Sequence, residues 1–125
     1  MKTWSRSWVR SKDPSKQRKY SHNAPLHIAR KLMSVNLSKE LREKHGKRNV
    51  PVRKGDTVKV MVGSHKGKVA KVTEINLKQK KVYVDGVVSV KKDGTKIARH
   101  IHPSNLRIIE LNLDDKLRKK FLERK

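Results

Sequence analysis

The spacing of hydrophobic residues along the chain changes near Val50. Between Thr57 and Val62, Val58, Val60 and Val62 alternate with Thr57, Lys59 and Met61, the two-residue repeat of a half-buried strand. Val69, Val72 and Ile75 follow at intervals of three, so the run 68–75 reads as a strand with a bulge or bend. Val82 and Val84 mark a third strand, and Val87–Val90 a fourth or its continuation. Asp93-Gly94 has the composition of a hairpin turn. Ile97–Ile101 and Leu106–Ile109, separated by Pro103, Ser104 and Asn105, complete the set. Short strands with closely spaced turns predict a small β-barrel over residues 51–110.

On either side of this region the pattern is helical. Asp13-Pro14 reads as an N-cap followed by a first helical residue, predicting a helix near 14–20. Asn23, Ala24 and Pro25 repeat the signal, and Leu26, Ala29 and Leu32 or Met33 then recur at helical spacing. Ser38 suits the cap of a third helix, with Glu40 in its first turn and Gly46 just past its end. Such short helices are marginal alone because nucleation is costly. Residues 1–50 are therefore expected to be ordered by a partner or by packing on the barrel. In 111–125, Asn112 is expected to cap a C-terminal amphipathic helix, with Asp114 and Asp115 at its positive end and Lys119 and Lys120 at its negative end. Leu113, Leu117 and Phe121 fall on one face, expected to dock on the barrel. The expected class is mainly β with short helices: a basic helical extension (1–50), a small barrel (51–110) and a terminal helix (111–125).

Composition narrows the function. A chain of 125 residues with 34% hydrophobic residues, two Trp, two Tyr and one Phe supports one small core plus extensions. Lys and Arg number 34 against 11 acids, a formal charge of +23. Self-repulsion on that scale calls for a polyanionic partner. The excess is concentrated in residues 1–54, with 16 bases and 3 acids. The absence of cysteine excludes disulfides and Cys-ligated zinc. No run approaches the roughly 20 apolar residues of a membrane span. The basic N-terminus lacks the apolar stretch of a secretory signal, so an intracellular protein is expected. Binding to a membrane surface would need a stronger amphipathic face than any present here. His100 and His102 share a strand face, but no carboxylate accompanies them at ligand spacing, so no metal or other cofactor is expected. The scarce acids are scattered and form no nucleophile–base arrangement, which argues against an enzyme.

The candidate RNA-binding residues follow from charge and shape. Trp4 and Trp8 lie among Arg6, Arg10 and Lys12, where indoles beside cations either stack on unpaired bases or pack on the protein itself. Lys16, Arg18, Lys19, His22, Arg30 and Lys31 suit phosphate contacts along the extension. Arg48, Arg53, Arg99 and His100 are assigned to the same role, while His102 reads as a surface residue and Asp56 as a maker of turn hydrogen bonds. The most informative segment is Gly63-Ser64-His65-Lys66-Gly67-Lys68. Its glycines permit positive φ and close backbone approach, and its basic residues supply donors to a phosphate chain. A hairpin alone would explain the glycines but does not require Lys66 and Lys68. The Gly-x-x-x-Gly-Lys string is not a P-loop, being one residue short, lacking Ser or Thr after the lysine and preceding a strand.

The stretch Gly55–Val69 resembles a KOW motif, in which a strand, a Gly-bounded basic loop and a second strand follow one another. Pro14-Ser15-Lys16-Gln17-Arg18-Lys19, Ala24-Pro25-Leu26-His27, Leu41-Arg42-Glu43-Lys44-His45-Gly46-Lys47-Arg48, Val52-Arg53-Lys54-Gly55-Asp56 and His102-Pro103-Ser104-Asn105-Leu106 occur in that order. Together they are similar to the universal large-subunit ribosomal protein twenty-four family in its archaeal and eukaryotic form. The resemblance implies an SH3-like barrel and early binding to large-subunit rRNA. It also implies a cytoplasmic place in the ribosome near the polypeptide exit tunnel rim, an archaeal source, and neighbouring ribosomal proteins and exit-site targeting factors as partners. It implies neither a small-molecule substrate nor a homo-oligomer. A KOW motif alone also suits a transcription elongation factor, but no second domain of such a factor is seen in this sequence. An RNA-processing enzyme would need a catalytic constellation that the sequence lacks.

Overall fold

A computed structural model describes residues 4–5 and 11–124; Arg6, Trp8 and Arg10 lie outside the described residues. The chain runs α1 (Pro14–Asn23), α2 (Leu26–Leu32), β1 (Ser34–Leu37), α3 (Lys39–His45), β2 (Asn49–Pro51), β3 (Thr57–Val60), β4 (Val69–Asn76), β5 (Lys81–Val90) and β6 (Lys96–Ile101). A 3-10 turn (Pro103–Asn105) then leads into β7 (Leu106–Glu110), and α4 (Lys116–Glu123) ends the chain. The architecture is mainly β. Seven strands form a mixed sheet in the order β2-β1-β7-β3-β4-β5-β6, with short helices around it.

The expected caps are in place. Asp13 accepts a hydrogen bond from Ser15 N at 2.9 Å to start α1. Ser38 Oγ accepts from Leu41 N to start α3, and Gly46 ends it in the left-handed conformation at φ 63°. Alternation builds the core from Val58 and Val60 of β3, Val82 and Val84 of β5, and Leu106 and Ile108 of β7. In β5 the next buried residue is Val87, an odd step that strict alternation forbids. The strand resolves this with a register shift between Tyr83 and Val88 and a positive φ of 66° at Gly86, so 82–90 is one bulged strand. The bend expected in 68–75 is likewise a register shift, between Val72 and Glu74.

Val62, read with Val58 and Val60 as the buried face of the first strand, lies beyond β3 and is 61% exposed. Two larger features also depart from the sequence reading. Met33, Val35 and Leu37 alternate into the core, and β1 is wedged between β2, antiparallel, and β7, parallel. Residues 34–37 of the basic extension are thus part of the sheet. The second concerns α4. Its N-cap is Asp115, which accepts from Leu117 N at 2.8 Å, whereas Asn112 precedes the helix and donates its backbone N–H to Asp56. With that start, the buried face carries Arg118 and Leu122. Of the three residues expected to dock, Leu113 packs partly on the core, but Leu117 is 75% exposed and Phe121 45%.

Gly55 shows how tightly the turn before β3 is built. Its φ is 88°, and a Cβ there would lie 2.8 Å from Asn112 Nδ2. Gly55→Ala is expected to cost about 1–2 kcal/mol from left-handed strain alone, with displacement of Asn112 in addition. Urea unfolding with an unchanged midpoint would show that the turn tolerates a side chain.

Candidate nucleic-acid interface

The loop between β3 and β4 is closed by backbone hydrogen bonds from Gly67 N to Val60 O (2.8 Å) and from Val60 N to Lys68 O (2.9 Å). Inside it, Lys66 N donates to Gly63 O at 3.0 Å. Gly63 and Gly67 sit at φ 103° and 87°, and nothing lies within 4 Å of where a Cβ would be. The backbone is therefore bare on that side, which is the geometry that lets a phosphate chain approach closely. Met61 N donates to Asn105 O at 2.8 Å and ties the loop to the 3-10 turn.

That tie creates a cleft of about 230 Å³ between the loop, β6 and the 3-10 turn. Its walls bring together Gly63, Ser64, His65, Arg99 and His100, distant in sequence, and add His102 and Asn105. Arg99 reaches across to Ser64 Oγ at 3.4 Å. His102 Nδ1 accepts from Ser104 N and caps the 3-10 turn. No acidic side chain lines the cleft among the described residues. It offers cationic, imidazole and hydroxyl donors to an anion. Lys66 lies exposed on the loop, whereas Lys68 turns inward and donates to Gly86 O at 2.5 Å, so it fastens the loop to β5.

The other candidate residues fall into two further basic regions. Arg18 and His22 of α1 meet Lys78 and Lys80 at the β4–β5 turn, with Lys16 and Lys19 exposed on the same helix. Partial burial holds the Lys80 ammonium below its usual pKa. Lys78 and Lys80 carry no local signal beyond their charge; only the fold places them beside α1. Arg30, Lys31 and Arg53 line a groove between α2, β2 and α4. Arg53 is paired there with Asp115, and its hydrogen bond holds the Asp115 carboxyl below the ordinary carboxylate value. Lys12 and Arg48 are exposed and join none of these regions. Trp4 packs on Tyr20 of α1, with ring centroids 5.1 Å apart and planes tilted by 33°.

Beneath the groove is a contact that the sequence reading missed. Asp56 is fully buried, and Arg118 is 3% exposed. The guanidinium grips the carboxylate through both terminal nitrogens, at 2.6 and 2.7 Å. Asp56 also accepts from Arg53 N at 2.8 Å and Asn112 N at 2.9 Å, while Arg118 donates to Asn112 O at 2.8 Å. The turn hydrogen bond expected of Asp56 is present, but its larger part is to fasten α4 to the sheet. Among the described residues, no three His, Cys, Asp or Glu side chains form a metal-binding group, and no helix is long and apolar enough to cross a membrane.

Comparison with known proteins gives one consistent result. A family model describing the eukaryotic ribosomal proteins L26 and their archaeal counterparts matches residues 11–125. The "Large ribosomal subunit protein uL24" of Korarchaeum cryptofilum is 48% identical over 117 residues, covering 94% of this chain and 89% of that protein. The protein of the same name from Methanosphaera stadtmanae is 48% identical over 115 residues, covering 92% and 98%. The chain belongs to this archaeal and eukaryotic family of ribosomal proteins, whose members are structural rather than enzymatic.

Proposed function

We propose that the chain is a structural constituent of the large ribosomal subunit that binds rRNA by multidentate phosphate neutralisation. Its place is the cytoplasmic ribosome. Its core is an SH3-like barrel bearing a KOW loop, flanked by the basic 1–50 extension and the 111–125 helix. The observation that carries the reading is the cleft where Gly63, Ser64, His65, Arg99 and His100 converge with no acid among its lining. Three basic regions surrounding one small sheet suit a protein that holds several rRNA segments against each other, the task of an early assembly protein. A position near the polypeptide exit tunnel rim, contacts with neighbouring ribosomal proteins and with targeting factors, and a chain that does not form a homo-oligomer belong to the same proposal.

Lys66→Ala on the loop combined with Arg99→Ala in the cleft tests the loop and cleft together. Each lost phosphate contact is expected to reduce the salt slope of rRNA binding by about one and to weaken affinity at moderate salt. Filter binding to a large-subunit rRNA fragment reads this, with thermal unfolding to confirm an intact fold. Unchanged affinity in a folded double variant would reduce the loop to a hairpin turn.

A further inference from the structure

The groove between α2, β2 and α4 encloses about 600 Å³, within the range of small-ligand clefts. Its chemistry differs from that of the other two basic regions. Leu117 and Phe121, the exposed apolar residues of α4, line it together with Val50 and Pro51 of the end strand β2. Arg30 and Lys31 stand exposed at its side together with Arg53, which keeps its pair with Asp115 at the edge, and no acid is among the described residues that line it. Lys47 Nζ sits over the Phe121 ring, 5.2 Å from the centroid. The ring stays 45% exposed, so it keeps surface for a second flat partner. Asn49, exposed on β2, adds a carboxamide able to give and accept hydrogen bonds.

We infer that this groove takes an unpaired RNA nucleotide, its base against Phe121 and Leu117 and its flanking phosphates on Arg30, Lys31 and Arg53. The inference rests on the rRNA-binding reading and assigns it a second kind of contact. Charge complementarity selects a polyanion. Phosphates alone would not use an apolar wall, and a duplex would not present a base face to an aromatic ring. A splayed nucleotide uses both. An acidic peptide with one apolar side chain is the competing occupant, but it has no flat face to match the cation-backed ring.

The test compares a single-stranded adenine-rich RNA with an abasic chain of equal phosphate number, at matched salt, against the full-length protein. Phe121→Ala is expected to weaken binding of the intact RNA roughly tenfold and to leave the abasic chain unaffected. Phe121→Trp should restore the affinity, which separates stacking from damage to α4. Equal loss on both chains, no loss on either, or tighter Phe121-dependent binding of an acidic peptide carrying one leucine than of the intact RNA, would each overturn the inference. Failure of both chains to bind the wild-type protein would instead reject the rRNA-binding reading itself.

Discussion

Asp56→Ala is expected to destabilise the protein by about 3–5 kcal/mol, the usual cost of stranding one member of a buried ion pair. The substitution leaves the Arg118 guanidinium, 3% exposed, without its carboxylate, and orphans the backbone N–H groups of Arg53 and Asn112. Arg118 Nε is already buried without an acceptor, and the carbonyls of Asn112 and Pro51 that remain to the terminal nitrogens are neutral and do not balance the charge. Against the roughly 5–15 kcal/mol that holds a typical domain together, this is a large fraction. In a chain of formal charge +23 the margin is eroded further by self-repulsion. The melting temperature should fall by on the order of 10–20 °C. Asp56→Ala combined with Arg118→Leu should recover part of the loss, because the stranded charge is gone while the two backbone donors stay unpaired. Urea unfolding checks both variants. A single variant within about 0.5 kcal/mol of wild type would mean that Leu122 and the surrounding packing alone hold α4 in place.

The same pair shows where sequence reasoning stops. Local chemistry was readable: Asp13, Ser38 and Gly46 cap or end the helices they were expected to, and Val58 and Val60 alternate as a half-buried strand should. Even the broken period of Val69, Val72 and Ile75 pointed to the irregularity found in β4. Strand β1 escaped because Met33 serves two patterns. It completes the helical spacing from Leu26 and begins the alternation Met33, Val35, Leu37, and only pairing with β2 and β7 decides between them. The face of α4 was misread because its pattern rewards leucine and phenylalanine and penalises arginine. Arg118 is buried because Asp56, 62 residues away in sequence, meets it. The interface divides in the same way. The glycines and lysines of 63–68 announce a loop made for close approach, but its joining with Arg99 and His100 depends on how the sheet folds. Lys68 illustrates the converse, a residue of the right type that the fold commits to Gly86.

The second large effect expected is the dependence of rRNA affinity on salt. A protein that neutralises Z phosphates releases the counterions condensed on them, and log K then falls with log salt at a slope of about −0.9Z on duplex-like nucleic acid. Three separate basic regions, each with two or more exposed cations, put Z at roughly 6–10. Affinity should then drop by about 10³–10⁵ between 50 and 200 mM salt. Binding through a neutral or mainly apolar surface would not behave this way. Nor would recruitment to RNA through another protein. The measurement is the equilibrium constant of the purified chain on a large-subunit rRNA fragment across that salt range. Multidentate phosphate neutralisation predicts a steep linear decline with a slope of about −5 to −9; a slope near zero would contradict it.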